Sequence, residues 1–469
     1  LTGVTAVGSK ALTALTSGAG NTAVGYLAAN ATIAGQNNTV VGYGAFEDFS
    51  HADADGNTVM GYNAMGGGHS TATNNSGSYN IAIGGGAVGG TTGTSTAITA
   101  ANNAGIGWGA LATISTGSHN IAIGKDSGNT ISTGVNNVAM GGLTMNNAST
   151  NVDDNVAIGY NAMGGSIVTE SVHDCVAIGS GSLSGALDST NGVDEASGTV
   201  AIGKSALAAL TDGAGNVAVG FEASHDVTGA VNNTSIGYQA GDKISTNSHN
   251  TAVGFQAHRG LGYSNVVIGS QSADHVSGVA DLMTVVGTQA VRGQTTTGAD
   301  KTTAIGASAL KALTSGAGNT AVGYQAMLEE TLGDNNTVLG YGAMNDSLGG
   351  LENNDNTFIG YNSGGGTWLT AASINNVAVG SGTMAGAMNA ASYNTAIGQS
   401  SMGALTTGDY NTAVGRSSAH SLTGGTQNVL LGYGAVTDDA TATNQVVLGY
   451  ETTGVADNSV TLGNASVTA

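Results

Sequence analysis

The stretch Asn319-Thr320-Ala321-Val322-Gly323-Tyr324-Gln325-Ala326-Met327 recurs, with small variations, from one end of the chain to the other. Its fixed point is a glycine that directly follows Val, Ile, Leu or Met, and 26 such glycines recur at nearly regular spacing along the chain. Twelve of the 25 intervals between these glycines are 17 residues long, and the others run from 14 to 24 residues. A period this short, kept along the whole chain, is typical of a solenoid, in which each coil contacts only its neighbours.

The residues before the glycine predict a short β-strand. Counting from the glycine, position −1 is apolar in all 26 repeats, position −3 is mostly Thr, Val or Ile, and position −2 is most often Ala. Alternate residues of a strand share a face, so positions −3 and −1 lie on one face and −4 and −2 on the other. Since β-branched side chains suit a buried pleated surface, we expect −3 and −1 to face the core. Position −4 is Asn in 19 of the 26 repeats, which predicts amides that hydrogen-bond in register along the stack.

The residues after the glycine predict a turn and then a second short strand. Position +3 is Ala, Ser or Thr in all 26 repeats, and position +4 is usually apolar. Two short strands and two turns in about 17 residues predict an all-β fold, a parallel β-roll or β-solenoid of about 26 short coils. We expect residues 1–469 to form a single continuous repeat domain. Glycine is expected at the corners because it accepts backbone angles closed to other residues. Representative corner glycines are Gly25, Gly42, Gly323, Gly340, Gly415 and Gly432.

Composition and charge argue against several classes of function. The formal net charge is −21, with 9 Lys and Arg against 30 Asp and Glu, so we expect no binding to nucleic acid. No run of eighteen apolar residues is present, so we expect no membrane-spanning helix in this chain. A single cysteine, Cys175, precludes an intrachain disulfide framework. Neither a catalytic constellation nor a metal-ligand spacing emerges, so we expect no enzyme activity, no cofactor and no metal.

The signature Asn-(Thr/Val)-Ala-(Val/Ile)-Gly, with a small residue at +3, resembles the head repeat of trimeric autotransporter adhesins, a repeat also found in bacteriophage tail fibres. The resemblance covers essentially the whole chain. It implies a left-handed parallel β-roll, three copies side by side in a homotrimeric rod, and an extracellular location on a virion or a bacterial surface. The adhesin repeat is typically nearer 14 residues, whereas here 17 is commonest, and no heptad stalk or β-barrel anchor is visible. The ending, residues 458–467, is similar to segments that precede an intramolecular chaperone in phage fibres, so we expect this chain to be part of a longer fibre protein.

These observations predict a non-enzymatic structural and adhesive fibre, most simply part of a phage tail fibre that mediates attachment to the host surface. The first alternative is the head domain of a bacterial trimeric autotransporter adhesin. A self-assembling extracellular filament is the second alternative, and a fibre with glycan hydrolase activity is the third. The expected partners are further copies of the chain and a glycan or protein receptor on the host.

Aromatic residues are the candidate receptor contacts. Position +1 is aromatic in 13 of the 26 coils, and in register these side chains would form a broken ladder along one edge. Exposed aromatic rings bind sugars or pack against a partner protein, while the plainer interpretation is packing between coils or chains. Trp368 lies in the insertion 364–375 and is not explained by the repeat, so either a bound glycan or loop packing would account for it. The candidate contacts are Tyr26, Tyr43, Tyr62, Trp108, Tyr324, Tyr341, Tyr361 and Trp368.

Overall fold

The computed structural model describes residues 2–66, 75–89, 97–148, 152–167, 172–187, 196–260, 262–274, 280–293, 298–347 and 350–466. The chain forms two compact units, Leu1–Thr246 and Asn247–Ala469, which we call unit 1 and unit 2. Each unit is an all-β parallel β-solenoid, as the sequence predicts. Within the described ranges there is no helix, and therefore none long and apolar enough to cross a membrane.

Thirteen three-residue strands are described in each unit, and each of these 26 ends at the residue before a repeat glycine. Unit 1 contains β1 Thr5–Val7, β2 Thr22–Val24, β3 Thr39–Val41, β4 Thr58–Met60, β5 Ile81–Ile83, β6 Ala104–Ile106, β7 Ile121–Ile123, β8 Val138–Met140, β9 Val152–Asp153, β10 Val156–Ile158, β11 Val172–His173, β12 Val176–Ile178, β13 Val200–Ile202, β14 Val217–Val219 and β15 Thr234–Ile236. Unit 2 contains β16 Thr251–Val253, β17 Val266–Ile268, β18 Thr284–Val286, β19 Thr303–Ile305, β20 Thr320–Val322, β21 Thr337–Leu339, β22 Thr357–Ile359, β23 Val377–Val379, β24 Thr395–Ile397, β25 Thr412–Val414, β26 Val429–Leu431, β27 Val446–Leu448 and β28 Val460–Leu462. The two-residue strands β9 and β11 pair with each other.

Consecutive three-residue strands pair in parallel and in register within each unit. For example, Thr320, Ala321 and Val322 lie opposite Thr337, Val338 and Leu339 in the next coil. Every repeat position therefore forms a column of equivalent side chains, spaced by the ~4.8 Å that separates neighbouring strands.

The strands face the opposite way from the sequence prediction. The central residue of each strand, position −2, is buried in 24 of the 26 three-residue strands described, all but the first and the last, whereas positions −3 and −1 are exposed or half-buried. In β20, Ala321 is buried while Thr320 and Val322 are partly exposed. The interior of the coil already holds Asn at −4 and small residues at +3, so most coils place Ala at −2, although Val338 and Phe358 show that larger apolar side chains are also buried there. The prediction that −3 and −1 face the core is wrong.

The predicted second strand is a turn. Positions +2 and +4 lie in the left-handed region of backbone space, as at Gln325 (φ 56°) and Met327 (φ 52°). A strand needs extended angles, so two such residues so close together exclude one. The turn instead directs the small +3 and apolar +4 side chains inward, and Ala326 and Met327 are fully buried.

The Asn column at position −4 is confirmed as a hydrogen-bonded ladder. The Asn21 side-chain oxygen accepts hydrogen bonds from the Asn38 backbone amide at 3.0 Å and from the Asn38 side chain at 3.2 Å. The Asn38 side chain also donates to the Ala54 carbonyl at 2.8 Å, and the pattern continues at Asn57. Because these amides are buried and bonded on both sides, the ladder closes the corner of each coil without leaving polar groups unsatisfied.

The corner glycines are required both by conformation and by space. The six representative glycines have φ values from 135° to 146°, a region that other residues rarely adopt. They are Gly25, Gly42, Gly323, Gly340, Gly415 and Gly432. A side chain at any of these positions would also overlap the carbonyl group of the equivalent glycine in the next coil. The assignment of these glycines to repeat corners fits this geometry.

Replacing Gly220 with alanine should therefore destabilise unit 1 by roughly 1–3 kcal/mol or more, because the strained backbone and the overlap with Gly237 act together. The matched control is Gly229→Ala, later in the same coil. Nothing lies within 4 Å of a side chain added there, and the backbone of Gly229 is not left-handed. Denaturant unfolding of the two variants measures the difference. Equal stabilities would contradict the close approach between coils.

Candidate functional site

The outward side chains of the strands form an exposed apolar surface in each unit, which we call the strand face (positions −3 and −1). In unit 1, Ile121 and Ile236 are each 42% exposed. In unit 2, Leu339 is 46% exposed and Ile397 is 42% exposed. The in-register pairing stacks these side chains above one another. Contiguous exposed apolar surface of this kind marks an interaction site.

The six predicted tyrosines form two stacks of three, one in each unit. The members are Tyr26, Tyr43 and Tyr62 in unit 1 and Tyr324, Tyr341 and Tyr361 in unit 2. Neighbouring ring centroids are 5.1–5.6 Å apart, as in offset stacking. The predicted aromatic ladder is thus present, and most of its ring faces are covered by other rings. Whether these tyrosines contact a receptor stays a prediction.

Exposure rises along each stack toward its last ring. The exposed fraction increases from 41% at Tyr26 to 57% at Tyr62 in unit 1. In unit 2 it increases from 46% at Tyr324 to 61% at Tyr361. In the coil that follows each stack, position +1 is Gly85 in unit 1 and Ser381 in unit 2. Neither residue has a large side chain that could continue the stack. A free ring face is therefore available only where a stack ends.

Trp108 is exposed, and its ring lies over a glycine of the preceding coil rather than over another aromatic ring. The side chain is 61% exposed, and its indole ring occupies the space into which a side chain at Gly85 would point. Trp108 thus fills the step that follows Tyr62. It remains a candidate contact residue.

Trp368 does not fit the predicted role of a receptor contact, because it is fully buried. Its indole nitrogen donates to the Gly364 carbonyl at 2.8 Å, and its ring packs edge-on against Phe358 with centroids 5.5 Å apart. Phe358 occupies an inward strand position where most coils have Ala, and Gly364 occupies the +4 position where most coils have a large apolar side chain. The Phe358 ring takes the space beside Gly364 that a +4 side chain would fill, and the buried indole packs against that ring, so Trp368 is a core residue of unit 2.

One group in the described ranges brings three potential metal ligands together: His225, Asp226 and Asp242. The Lys243 ammonium lies 2.7 Å from Asp226 and 3.6 Å from Asp242. Burial raises the pKa of Asp226, but the hydrogen bonds from Lys243 and His225 outweigh burial and hold that pKa below its usual value. A cation of the chain itself therefore already neutralises these carboxylates, and the group is best described as an ion-pair network.

Glu330 shows that a turn acid can be structural. The side chain is fully buried, which is rare for an acidic residue. One carboxylate oxygen accepts hydrogen bonds from the backbone amides of Thr331, Leu332 and Gly333 at 3.0–3.2 Å, and the other accepts from Asn353 at 3.0 Å. With both oxygens engaged, Glu330 holds the turn together.

Cys175 replaces Asn in the ladder and is not an activated nucleophile. Its thiol is buried and donates to the Ala196 carbonyl at 3.0 Å, in place of the usual side-chain amide. Burial raises the pKa of the thiol to about 11, so the reactive thiolate is scarce near neutral pH. Cys175 is therefore a small buried substitution in the ladder.

Comparisons with known proteins do not identify a relative from which a function could be inferred. No known protein family matches the chain, and no characterised protein has a significantly similar sequence.

Proposed function

We propose that this chain is a structural, non-enzymatic part of an extracellular attachment fibre, in which three copies associate through their strand faces. The observation that carries the proposal is the strand face itself, whose −1 side chain is apolar and exposed or half-buried at each of the 26 three-residue strands described.

The periodicity of the strand face favours a second copy of the same chain as its partner. Its outward side chains recur once per coil, at the spacing of neighbouring strands. A partner can match such a surface along its length only if its own side chains recur at the same spacing. Another copy of the chain meets this requirement, and side-by-side association would bury apolar side chains that otherwise face water.

The number of copies and the biological setting rest on the resemblance of the repeat. Head repeats of trimeric adhesins and the related repeats of phage tail fibres imply a homotrimer exposed to the outside. The net charge of −21 supports an external, non-nucleic-acid role, since the surface would repel phosphate backbones. We therefore place the chain in a phage tail fibre that attaches the virion to its host.

The test is to measure the native mass of the particle, first for the wild-type chain and then for a variant with charged residues on the strand face. Light scattering behind a sizing column should give about three times the chain mass of 45.4 kDa. The double variant Ile305→Lys/Leu339→Lys places charges on the strand face and should shift the mass toward a single chain while the circular dichroism spectrum is retained.

The matched control is Leu282→Lys. Leu282 is 57% exposed but lies outside the strands, so a charge there should leave the trimer intact. A wild-type chain with the mass of a single copy would overturn the proposed assembly.

A further inference from the structure

Two places in the chain repeat the same arrangement beside an exposed tyrosine, one in each unit. In both, a coil carries Tyr-Asn at positions +1 and +2, the next coil carries Ser-Gly, and the third coil carries Ser at +2. We call these arrangements the tyrosine notches. The notch of unit 1 consists of Tyr160, Asn161, Ser180, Gly181 and Ser205. The notch of unit 2 consists of Tyr361, Asn362, Ser381, Gly382 and Ser400.

The backbone holds the two notches in the same geometry. In unit 1, the Gly181 amide donates to the Tyr160 carbonyl at 2.9 Å, and the Ser205 amide donates to the Ser180 carbonyl at 3.0 Å. The corresponding distances in unit 2 are 2.8 Å and 3.0 Å. Both notches are therefore built by three coils locked together by ladder hydrogen bonds.

Each notch has an aromatic wall and an open floor. Tyr160 and Tyr361 are each 61% exposed. The opposite side of the Tyr361 ring is supported by Tyr341, with centroids 5.6 Å apart, and the Tyr160 ring lies 3.6 Å from where a side chain at Gly142 would begin. The glycine of each notch adds no side chain of its own.

Serine hydroxyls are the groups nearest to that floor. A side chain at Gly181 would approach only the hydroxyls of Ser184 and Ser205, both at 3.8 Å. A side chain at Gly382 would approach only the Ser400 hydroxyl, at 3.7 Å. Hydroxyls both donate and accept hydrogen bonds, and the half-buried amides of Asn161 and Asn362 add further donors and acceptors.

We infer that the tyrosine notches bind neutral hexopyranose units of a surface polysaccharide. The flat C–H face of a pyranose stacks on an exposed aromatic ring, while its hydroxyls need neutral donors and acceptors beside that ring. The notches provide both, and none of the ten residues that form them is charged. The adjoining Lys204 of unit 1 places its ammonium over the Phe221 ring of the following coil, 5.7 Å from the ring centroid. The net charge of −21 further disfavours acidic polysaccharides. This inference rests on the proposed attachment role and identifies the receptor class.

Tyr62 provides an internal contrast. It is also followed by Asn, and the next coil carries Gly85 and Gly86, yet the Trp108 ring occupies the space over Gly85. The step beside Tyr62 is therefore filled by the chain's own indole, and we expect no sugar there.

Affinity electrophoresis of the full chain tests the inference, with a neutral mannan, glucan and galactan in the gel and alginate as the acidic comparison. At least one neutral polysaccharide should retard the chain. The double variant Ser180→Tyr/Ser381→Tyr should weaken this binding at least tenfold, because the new rings lie beside Tyr160 and Tyr361 and fill both notches. Tyr160→Ala/Tyr361→Ala should weaken it similarly, whereas Tyr62→Ala should bind as the parent does.

The outcomes separate this inference from the proposed assembly. Unchanged binding by the Ser→Tyr variant, with native mass and circular dichroism preserved, would overturn the notches as the site. No retardation of a trimeric parent chain by any neutral polysaccharide would also overturn the inference and leave the fibre proposal standing. Notch-dependent binding by a chain with the mass of a single copy would support the notches and refute the trimer.

Discussion

Replacing Trp368 with alanine should destabilise unit 2 by about 3–5 kcal/mol, the usual cost of removing a large buried aromatic side chain. The indole is fully buried, packs edge-on against Phe358 and donates to the Gly364 carbonyl. The glycine at 364 supplies no side chain that could fill the resulting cavity. Because coils contact only their neighbours, the loss should concentrate near β21, β22 and β23, where amide hydrogen exchange measures it.

Trp108→Ala is the matched control, since these are the only two tryptophans of the chain. Trp108 is 61% exposed, so its removal should cost far less than the removal of Trp368. If both substitutions changed hydrogen exchange equally, or if Trp368→Ala left it unchanged, Trp368 would not be a core residue.

Unit 2 should lose stability as the pH falls from about 6.5 to about 4 because of His258. This residue occupies the apolar +4 position and is fully buried, and within the described ranges neither ring nitrogen has a hydrogen-bond partner. Burial lowers the pKa of His258 from 6.5 to about 4. Between these values the unfolded chain binds the proton and the folded chain does not, so stability is complete above pH 6.5 and decreases as the pH falls. The full effect is about 3 kcal/mol.

The measurement is denaturant unfolding of unit 2 at pH 7.5, 5.5 and 4. His258→Met places an ordinary +4 side chain there and should flatten the pH dependence in this window. His249→Asn is the control, because His249 is exposed and Asn occupies the same position in several other coils. A pH dependence that survives in His258→Met would show that other groups cause it.

The sequence predicted the repeat, the parallel stack and the Asn ladder, because each follows from period and residue type. It did not predict which strand face is buried. Both faces of a Thr-Ala-Val strand are largely apolar, and β-branched preference describes the strand without distinguishing inside from outside. Side-chain size was the better signal, since the inward −2 position is Ala in most coils, as at Ala321, whereas the outward −1 position always holds a larger apolar residue, as at Val322.

The turn after the glycine and the position of Trp368 needed information beyond the repeat pattern. Positions +2 and +4 hold residues such as Gln325 and Met327, which ordinarily avoid left-handed angles, so sequence alone favoured a strand. The burial of Trp368 could be interpreted only together with Phe358 and Gly364, because these two positions carry a large residue where most coils have a small one and a small residue where most have a large one. The tyrosine notches were also missed, because their residues lie in three different coils and meet only through strand register.

Strand register also determines how each unit responds to mechanical force. The ladder hydrogen bonds join one coil to the next, so a pull on a terminal coil loads the bonds of that coil first. Coils would then detach one after another, each 17-residue coil lengthening the chain by at most about 60 Å. Each unit should therefore lengthen in small successive steps under tension rather than in one cooperative event.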